Sequence, residues 1–310
     1  MEKTGTLGKI KRFLISKDFR FLILSQLTLY NHLSDEDFLK RRFKAKLGYD
    51  LDLDDPKTFN AKLQWLKLHD RNPNYTQMVD KYEVRKFISE RIGSEFLVPL
   101  LGVWDKFEDI EFSELPRQFV LKCTHDSGGL VICKDKPTFD KKAAQKKINA
   151  RLKRNYFYHG REWPYKDIKP RIIAEKYMED ESGGELKDYK FLCFNGEVKC
   201  LFVCLNRNTK AGLNVDFYDI DWTPMPFERH YKSSGTIIPK PKSFDKMMEF
   251  AHKLSYGIPF VRIDFYDVDG HLYMGEMTFY PGSGCEEFDP EEWDYTLGGW
   301  LHLPQTEERI

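Results

Sequence analysis

The sequence is poor in features that define several protein classes. Cysteine is scarce, six in 310 residues, and none forms a Cys-x-x-Cys pair or stands at zinc-ligand spacing with a histidine. That excludes a disulfide-stapled scaffold and a zinc module. Four of the six lie in apolar, strand-like runs, where a thiol is usually a small buried hydrophobe, so reduced core cysteines in a reducing cytosol are expected. Neither sign of charge dominates: Lys+Arg and Asp+Glu both number 49, and no global basic field exists to hold nucleic acid. Internal repeats and low-complexity linkers are missing. So are long apolar runs. Within residues 8–33 the longest is 21–24, and Lys17, Asp18 and Arg20 interrupt the segment. A spanning helix needs ~20 apolar residues and a signal peptide ~7–15, so neither is encoded there. What remains at 8–33 is a basic, aromatic-rich amphipathic stretch. It reads either as a helix packed on the next lobe or as a peripheral contact with the inner face of an anionic membrane.

What is present suits a folded enzyme. The chain is 41% hydrophobic and 15% aromatic, enough for a core without metals or disulfides. Its length suggests two or three folding units. Helical periodicity runs through 35–90, with Phe59, Leu63, Leu66 and Leu68 on one helix and Val84, Phe87 and Ile88 on another that begins at Asp80. Strands are expected at 118–123, 130–133 and 171–177, with a loop at 124–129 and a helix over 140–155. Two hairpins follow. Residues 189–194 and 197–205 flank Asn195-Gly196, and 260–266 and 271–278 flank a turn ending in Asp269-Gly270. Between them Ser243 is expected to cap a helix that Gly257 closes.

Three segments carry candidate chemistry. Lys122 ends an apolar strand and is followed by the loop Thr-His-Asp-Ser127-Gly128-Gly129. Glycines let backbone N–H groups approach phosphate oxygens, and the lysine supplies countercharge; a plain hairpin turn is the alternative. It is not a Walker loop. In Arg262-Ile-Asp264 and Glu276-Met-Thr278, two strands joined by a tight turn set Asp264 opposite Glu276. Such a pair suits Mg²⁺ beside nucleotide phosphates, or alternatively is neutralised by Arg262. Third, the apolar strand 172–174 runs into Glu175-Lys176-Tyr177-Met178.

In this order the pieces resemble the ATP-grasp superfamily. Lys62-Leu-Gln-Trp-Leu-Lys-Leu-His-Asp70, Asp80-Lys81-Tyr-Glu-Val-Arg85, Arg161-Glu-Trp-Pro-Tyr165, Asp188-Tyr-Lys190-Phe191, Phe194-Asn-Gly-Glu197 and Glu291-Glu-Trp-Asp-Tyr295 narrow the resemblance to the TupA-like ATP-grasp family, from about residue 40 to 304.

The resemblance implies an α+β ATP-grasp fold in which two α+β lobes sandwich ATP. The expected division is a helical region at 1–75, a central lobe at 76–178 with its lid at about 118–174, and a C-terminal lobe at 179–310. It implies ATP contacts from Lys81, Lys122, Ser127, Gly128, Gly129, Lys190 and the hinge Glu175, Lys176, Tyr177 and Met178. Asp264, Glu276 and Thr278 are the implied Mg²⁺ ligands for two ions; Thr278 replaces the usual asparagine, a better metal ligand. Lys122, Arg262 and the N–H of Gly282 are the implied catalytic groups, and Asp188 and Arg207 the implied substrate contacts. The implied reaction joins a carboxylate, a uronic acid or amino acid, to a small amine through an acyl phosphate, in the bacterial cytoplasm, during capsule or other surface-polysaccharide assembly. A kinase acting on a hydroxyl, a glycosyltransferase and a non-catalytic nucleotide-binding scaffold are the alternatives.

Overall fold

A computed structural model of the protein describes residues 6–179, 186–207 and 212–305. It opens with helices α1 (Thr6–Ile15), α2 (Lys17–Gln26), α3 (Asp35–Leu47), α4 (Phe59–His69), α5 (Asn74–Val79) and α6 (Val84–Ile92). Local chemistry sets their ends. The Ser34 hydroxyl accepts from the Asp37 N–H; Asp35, Glu36 and Asp37 occupy the first turn of α3, and Lys44 and Lys46 the last, each matching the helix dipole. Thr58 caps α4 in the same way. Residues 8–33 form two helices, not one, because the chain is extended at Ser16, whose hydroxyl caps α2. The helix expected from Asp80 starts only at Val84. The Asp80 carboxylate accepts from the N–H groups of Tyr82 and Glu83, which holds a turn ahead of the helix.

A small sheet follows, built from β1 (Leu100–Trp104), β2 (Phe119–Cys123), β3 (Leu130–Cys133) and, after helices α7 (Lys141–Leu152) and α8 (Phe157–Gly160), β4 (Ile172–Lys176). Its order is β1-β4-β2-β3, all antiparallel. Phe107, Phe119, Leu121, Ala144, Ile148 and Ile172 form its own core under α7. Helix α7 stops at Leu152, three residues short of the expected end.

The larger sheet comprises β5 (Asp188–Phe194), β6 (Glu197–Leu205), β7 (Asn214–Asp219), β9 (Phe260–Val268) and β10 (His271–Thr278); β8 (Glu228–Arg229) pairs separately with β11 (Phe288–Asp289). The order is β10-β9-β5-β6-β7. Both expected hairpins form. Asn195 and Gly196 have φ of 51° and 84°, and Asp269 and Gly270 have 55° and 85°, the left-handed pairs that such turns require. Helix α9 (Phe244–Ser255) packs Met247, Ala251 and Leu254 on this sheet, in one core with Phe191, Phe260 and Ile263. Ser243 stands at its N-cap position without capping; its hydroxyl donates instead to Asp267. Helix α10 (Glu292–Trp300) closes the chain against α4: Asp294 accepts from the backbone and side-chain N–H groups of Asn60, at 2.9 and 2.8 Å. All six cysteines are buried and free. Among the described residues, no helix is long and apolar enough to cross a membrane.

Candidate active site

Side chains alternate across a strand, so residues two apart share a face. On β5, β9 and β10, adjacent in the larger sheet, that rule gathers Asp188 with Lys190, Arg262 with Asp264, and Glu276 with Thr278. Lys190 pairs in register with Asp264, and Asp264 with Glu276. The last pairing depends on a bulge. Met274 faces Phe265, so an unbroken ladder would set Gly275 opposite Asp264; the register shifts at Gly275 and brings Glu276 there instead. A Cβ on Gly275 would lie 3.0 Å from the Tyr266 ring and 3.2 Å from the Asp264 carbonyl oxygen, which is why glycine suits the bulge.

The charges alternate in sign across this floor. Arg207 reaches Asp188 at 3.2 Å, and Lys190 sits 2.6 Å from Asp188 and also bonds Asp264. Arg262 grips Asp264 with two bonds of 2.7 Å and reaches Glu276 at 2.9 Å. Asp264 is fully buried and Lys190 nearly so. Burial and the neighbouring acids Asp188 and Glu276 push the Asp264 carboxyl up to about 6, against Arg262 and Lys190. Glu276, whose side chain is 42% exposed, goes the other way: its partial burial would raise it, but Arg262, Lys81, Lys190 and Lys122 outweigh that and hold it at about 2. Of the two readings of the acid pair, the contacts show the one in which Arg262 neutralises both carboxylates.

The smaller sheet, the turn before α6 and α6 itself supply cations near this floor. Lys122 pairs with the buried Glu175 at 2.6 Å, and Arg85 approaches the same carboxylate at 3.6 Å. The field of Glu276 and Asp188 reaches Lys122. Lys81 donates to the Asp126 carbonyl at 2.8 Å, and its N–H donates to Thr124, so it is fastened to the loop 124–129. That loop is less solvated than its composition suggests. Thr124, His125 and Asp126 are buried, and Asp126 pairs with Arg151 at 3.3 Å. Gly128 has φ of 97°, and a Cβ there would meet the Arg151 guanidinium at an ordinary 3.6 Å, whereas a Cβ on Gly129 would come within 2.8 Å of the Cys123 Cβ. Lys176 is exposed at the end of β4, with Tyr177 and Met178 half-buried beyond it.

A cavity of about 320 Å³ opens beside the acid pair. It brings together Lys81, Ser127, Arg262, Glu276, Thr278 and Gly282 from the expected set. Lys122, Gly128, Gly129, Glu175, Lys176, Tyr177, Met178, Asp188, Lys190, Arg207 and Asp264 are not on its wall. Of the remaining lining, Glu162 and Tyr165 belong to the motif Arg161-Glu-Trp-Pro-Tyr165, whereas Arg42, Lys46 and His159 were not legible as a site.

The turn that forms one side of this cavity is strained. Gly282, Ser283 and Gly284 have φ of 60°, 56° and 60°, a conformation costly for serine. A buried polar stripe on α4 holds it. Asn60, Gln64 and Lys67 share one helix face; Gln64 donates to the carbonyls of Ser283 and Gly284 at 3.1 and 2.6 Å. Lys67 donates to the Ser283 carbonyl and to that of Gly160, both at 2.9 Å. Burial lowers the Lys67 ammonium to about 8. The spacing 60, 64, 67 was the available signal for these residues.

Comparison with known proteins places the chain. A family model described as TupA-like ATPgrasp matches residues 61–302. The chain belongs to the TupA-like ATP-grasp family. Its architecture is accordingly the α+β ATP-grasp fold with a helical N-terminal region. Solved structures it is similar to include D-alanine–D-alanine ligase from Bacillus anthracis complexed with ATP (16% identity, 72% of this chain and 64% of that one, TM-score 0.42). Another is N5-carboxyaminoimidazole synthetase from Staphylococcus aureus complexed with ADP (13% identity, 74% and 53%, TM-score 0.42). A third is D-alanine–D-alanine ligase from Helicobacter pylori (12% identity, 81% and 68%, TM-score 0.41). The chain thus spans less than two thirds of the length of the first two. No curated protein matches it.

The acid pair fits a hard, oxygen-seeking cation. Among the described residues no group of three His, Cys, Asp or Glu is gathered for a metal. Asp264, Glu276 and Thr278 offer oxygen donors alone, the kind that Mg²⁺ takes. Aspartates elsewhere are occupied in turns. Asp52 accepts from the N–H groups of Asp54 and Asp55, Asp219 from those of Asp221 and Thr223, and Asp267 from that of Gly270.

Proposed function

We propose that this ATP-grasp protein is an ADP-forming ligase that joins a carboxylate to an amine. The observation that supports it is the register-matched pair Asp264 and Glu276, bridged by Arg262, on a floor with Lys81 and Lys122 nearby. Asp264 and Glu276, with Thr278, would hold Mg²⁺, which supplies charge neutralisation at the phosphates; a second ion is part of the proposal. Lys81, Lys122 and Lys190 carry the countercharge for the triphosphate. The N–H groups at Ser127, Gly128 and Gly129 close over it and exclude water, and Glu175, Lys176, Tyr177 and Met178 form the adenine hinge. We assign the division 1–75, 76–178 and 179–310, with the lid at about 118–174, to these roles.

A substrate carboxylate oxygen attacks the terminal phosphorus, the bond to the leaving oxygen of ADP breaks, and an acyl phosphate forms. The amine then adds to the acyl carbon, forming the C–N bond as the carbonyl opens; the nitrogen gives up a proton to solvent, and the carbonyl re-forms as the C–O bond to phosphate breaks and phosphate leaves. Arg262 stabilises the transferring phosphoryl group, and the Gly282 N–H the oxyanion of the tetrahedral intermediate. Asp188 and Arg207 position the acid, which we take to be a uronic acid or amino acid destined for a surface polysaccharide. The setting is the cytoplasm, with a peripheral membrane contact through 8–33. Ile10, Leu14, Ile15, Leu27 and Leu29 are exposed there beside Lys11 and Arg12, which supports that contact. Flotation with phosphatidylglycerol vesicles tests it.

Trapping tests the chemistry. With ATP, Mg²⁺ and a panel of uronic and amino acids, hydroxylamine should intercept the acyl phosphate as a hydroxamate, with ADP released. A phosphorylated hydroxyl product without hydroxamate would instead identify a kinase.

A further inference from the structure

Helix α3 lies outside the residues matched by the family model, yet it forms a wall of the cavity through Arg42 and Lys46, one helical turn apart on one face. The other lysines of that helix are matched: Lys40 pairs with Glu36 at 2.7 Å and Lys44 with Asp50 at 2.8 Å. Arg42 and Lys46 have no carboxylate within ion-pair distance among the described residues. Arg42 is only 6% exposed, and its buried Nε has no hydrogen-bond partner. Burying a guanidinium without a partner is costly, so the position calls for an anion. The cavity's own acids do not supply it. Glu276 is bound by Arg262 at 2.9 Å, and Glu286 faces Arg229 at 3.3 Å. Glu162 makes no ion pair within contact distance among the described residues, and the charge of Lys67 acts on it more strongly than that of Arg42.

The wall is held in place. Arg161, itself buried, donates to the carbonyls of Tyr30, Asn31 and Leu33 and pairs with Asp35 at 3.4 Å. This ties the start of α3 to the segment that carries His159. Burial, with Arg42 and other cations, lowers His159 to about 4, so the ring is neutral and offers one N–H.

We propose that Arg42, Lys46 and His159 bind an oxyanion carried by one of the two substrates, a phosphate ester or a second carboxylate, distinct from the nucleotide phosphates. The inference rests on the ligase reading. It assigns substrate choice to α3: the reacting carboxylate lies near Arg262 and Glu276, and the second anion lies across the same 320 Å³ cavity.

Calorimetry on the full chain tests this. ADP with Mg²⁺ is titrated first. Inorganic phosphate and malonate are then titrated separately at constant ionic strength, with saturating AMP-PNP and Mg²⁺ covering the nucleotide site. The wild type should bind one of the two probes saturably, phosphate marking an ester subsite and malonate a carboxylate subsite. Arg42→Gln should weaken that probe at least tenfold and leave ADP affinity within twofold. Lys46→Gln, at an exposed position, should weaken it about threefold with an unchanged melting temperature, and it decides the matter if Arg42→Gln does not fold. Absence of saturable binding of either probe, or equal binding by wild type and variants, overturns the proposal while leaving the nucleotide site intact. Failure of ADP to bind the wild type overturns the ligase reading instead; the anion titrations, run then without nucleotide, still judge α3.

Discussion

Replacing Glu276 by glutamine and Asp264 by asparagine should separate metal binding from folding. The Glu276 side chain is 42% exposed and accepts one bond, from Arg262 at 2.9 Å. Glutamine keeps an acceptor there, and Arg262 keeps both bonds to Asp264. Solvent screens the pair, so the loss of stability should be at most about 1 kcal/mol. At about 2–4 °C per kcal/mol, the melting temperature should move by no more than ~4 °C. Turnover is another matter. The variant loses an anionic ligand, and stabilisation of several kcal/mol at the transferring group corresponds to a loss of about two orders of magnitude or more. Asp264 is 0% exposed and is held by both Arg262 and Lys190. Asparagine leaves those cations buried and under-compensated, a cost of about 3–5 kcal/mol, or a melting shift on the order of 10 °C. Differential scanning calorimetry and a coupled ADP assay on the two variants give four numbers. Turnover by Glu276→Gln within threefold of wild type would refute the metal assignment. A melting shift as large as that of Asp264→Asn would refute the reasoning about burial.

The remaining expectations concern pH, the bulge and the loop. Asp264 is raised to about 6, so on acidification the native chain takes up a proton there before the unfolded chain does, and the proton competes with metal. Mn²⁺ binding in the presence of ADP, read by electron paramagnetic resonance and corrected for free ADP, should weaken about tenfold from pH 7 to pH 5; a flat profile contradicts this. Gly275→Val puts a branched side chain against Tyr266 and the Asp264 carbonyl and should lower turnover at least about tenfold; unaltered kinetics would mean the bulge does not set the acid pair. Gly129→Val should lower the melting temperature even without nucleotide, because of Cys123, whereas Gly128→Ala should cost about 1 kcal/mol at its positive φ and chiefly weaken ATP binding. Equal melting of these two variants would show that the loop is not packed as described.

Much of the larger sheet was legible because its signals are local. Asn195-Gly196 and Asp269-Gly270 specify their turns, and Arg262, Asp264, Glu276 and Thr278 follow the period of two. Strand β1 was missed because all five of its residues are half-buried and show no alternation. Strand β7 was missed for a related reason, a continuous buried run from Val215 to Tyr218 that includes Asp216. Facing of Asp264 and Glu276 could be read from the hairpin, but the bulge at Gly275 that produces it could not, since a lone glycine in a strand has several meanings. The α4 stripe and Arg42 escaped for a third reason: their significance lies in partners or cavities formed by residues distant in sequence, as with Lys67 and Gly160, 93 positions apart.

The transfer of a carboxylate oxygen to phosphate tests the central claim most directly. An acid found active in the hydroxylamine screen, labelled with ¹⁸O in its carboxylate, is incubated with ATP, Mg²⁺ and amine, and the released phosphate is analysed by mass spectrometry. An acyl phosphate requires one labelled oxygen to leave with each phosphate, alongside ADP and the amide. Unlabelled phosphate accompanying amide formation, or release of AMP and pyrophosphate, would contradict the mechanism even with the amide in hand.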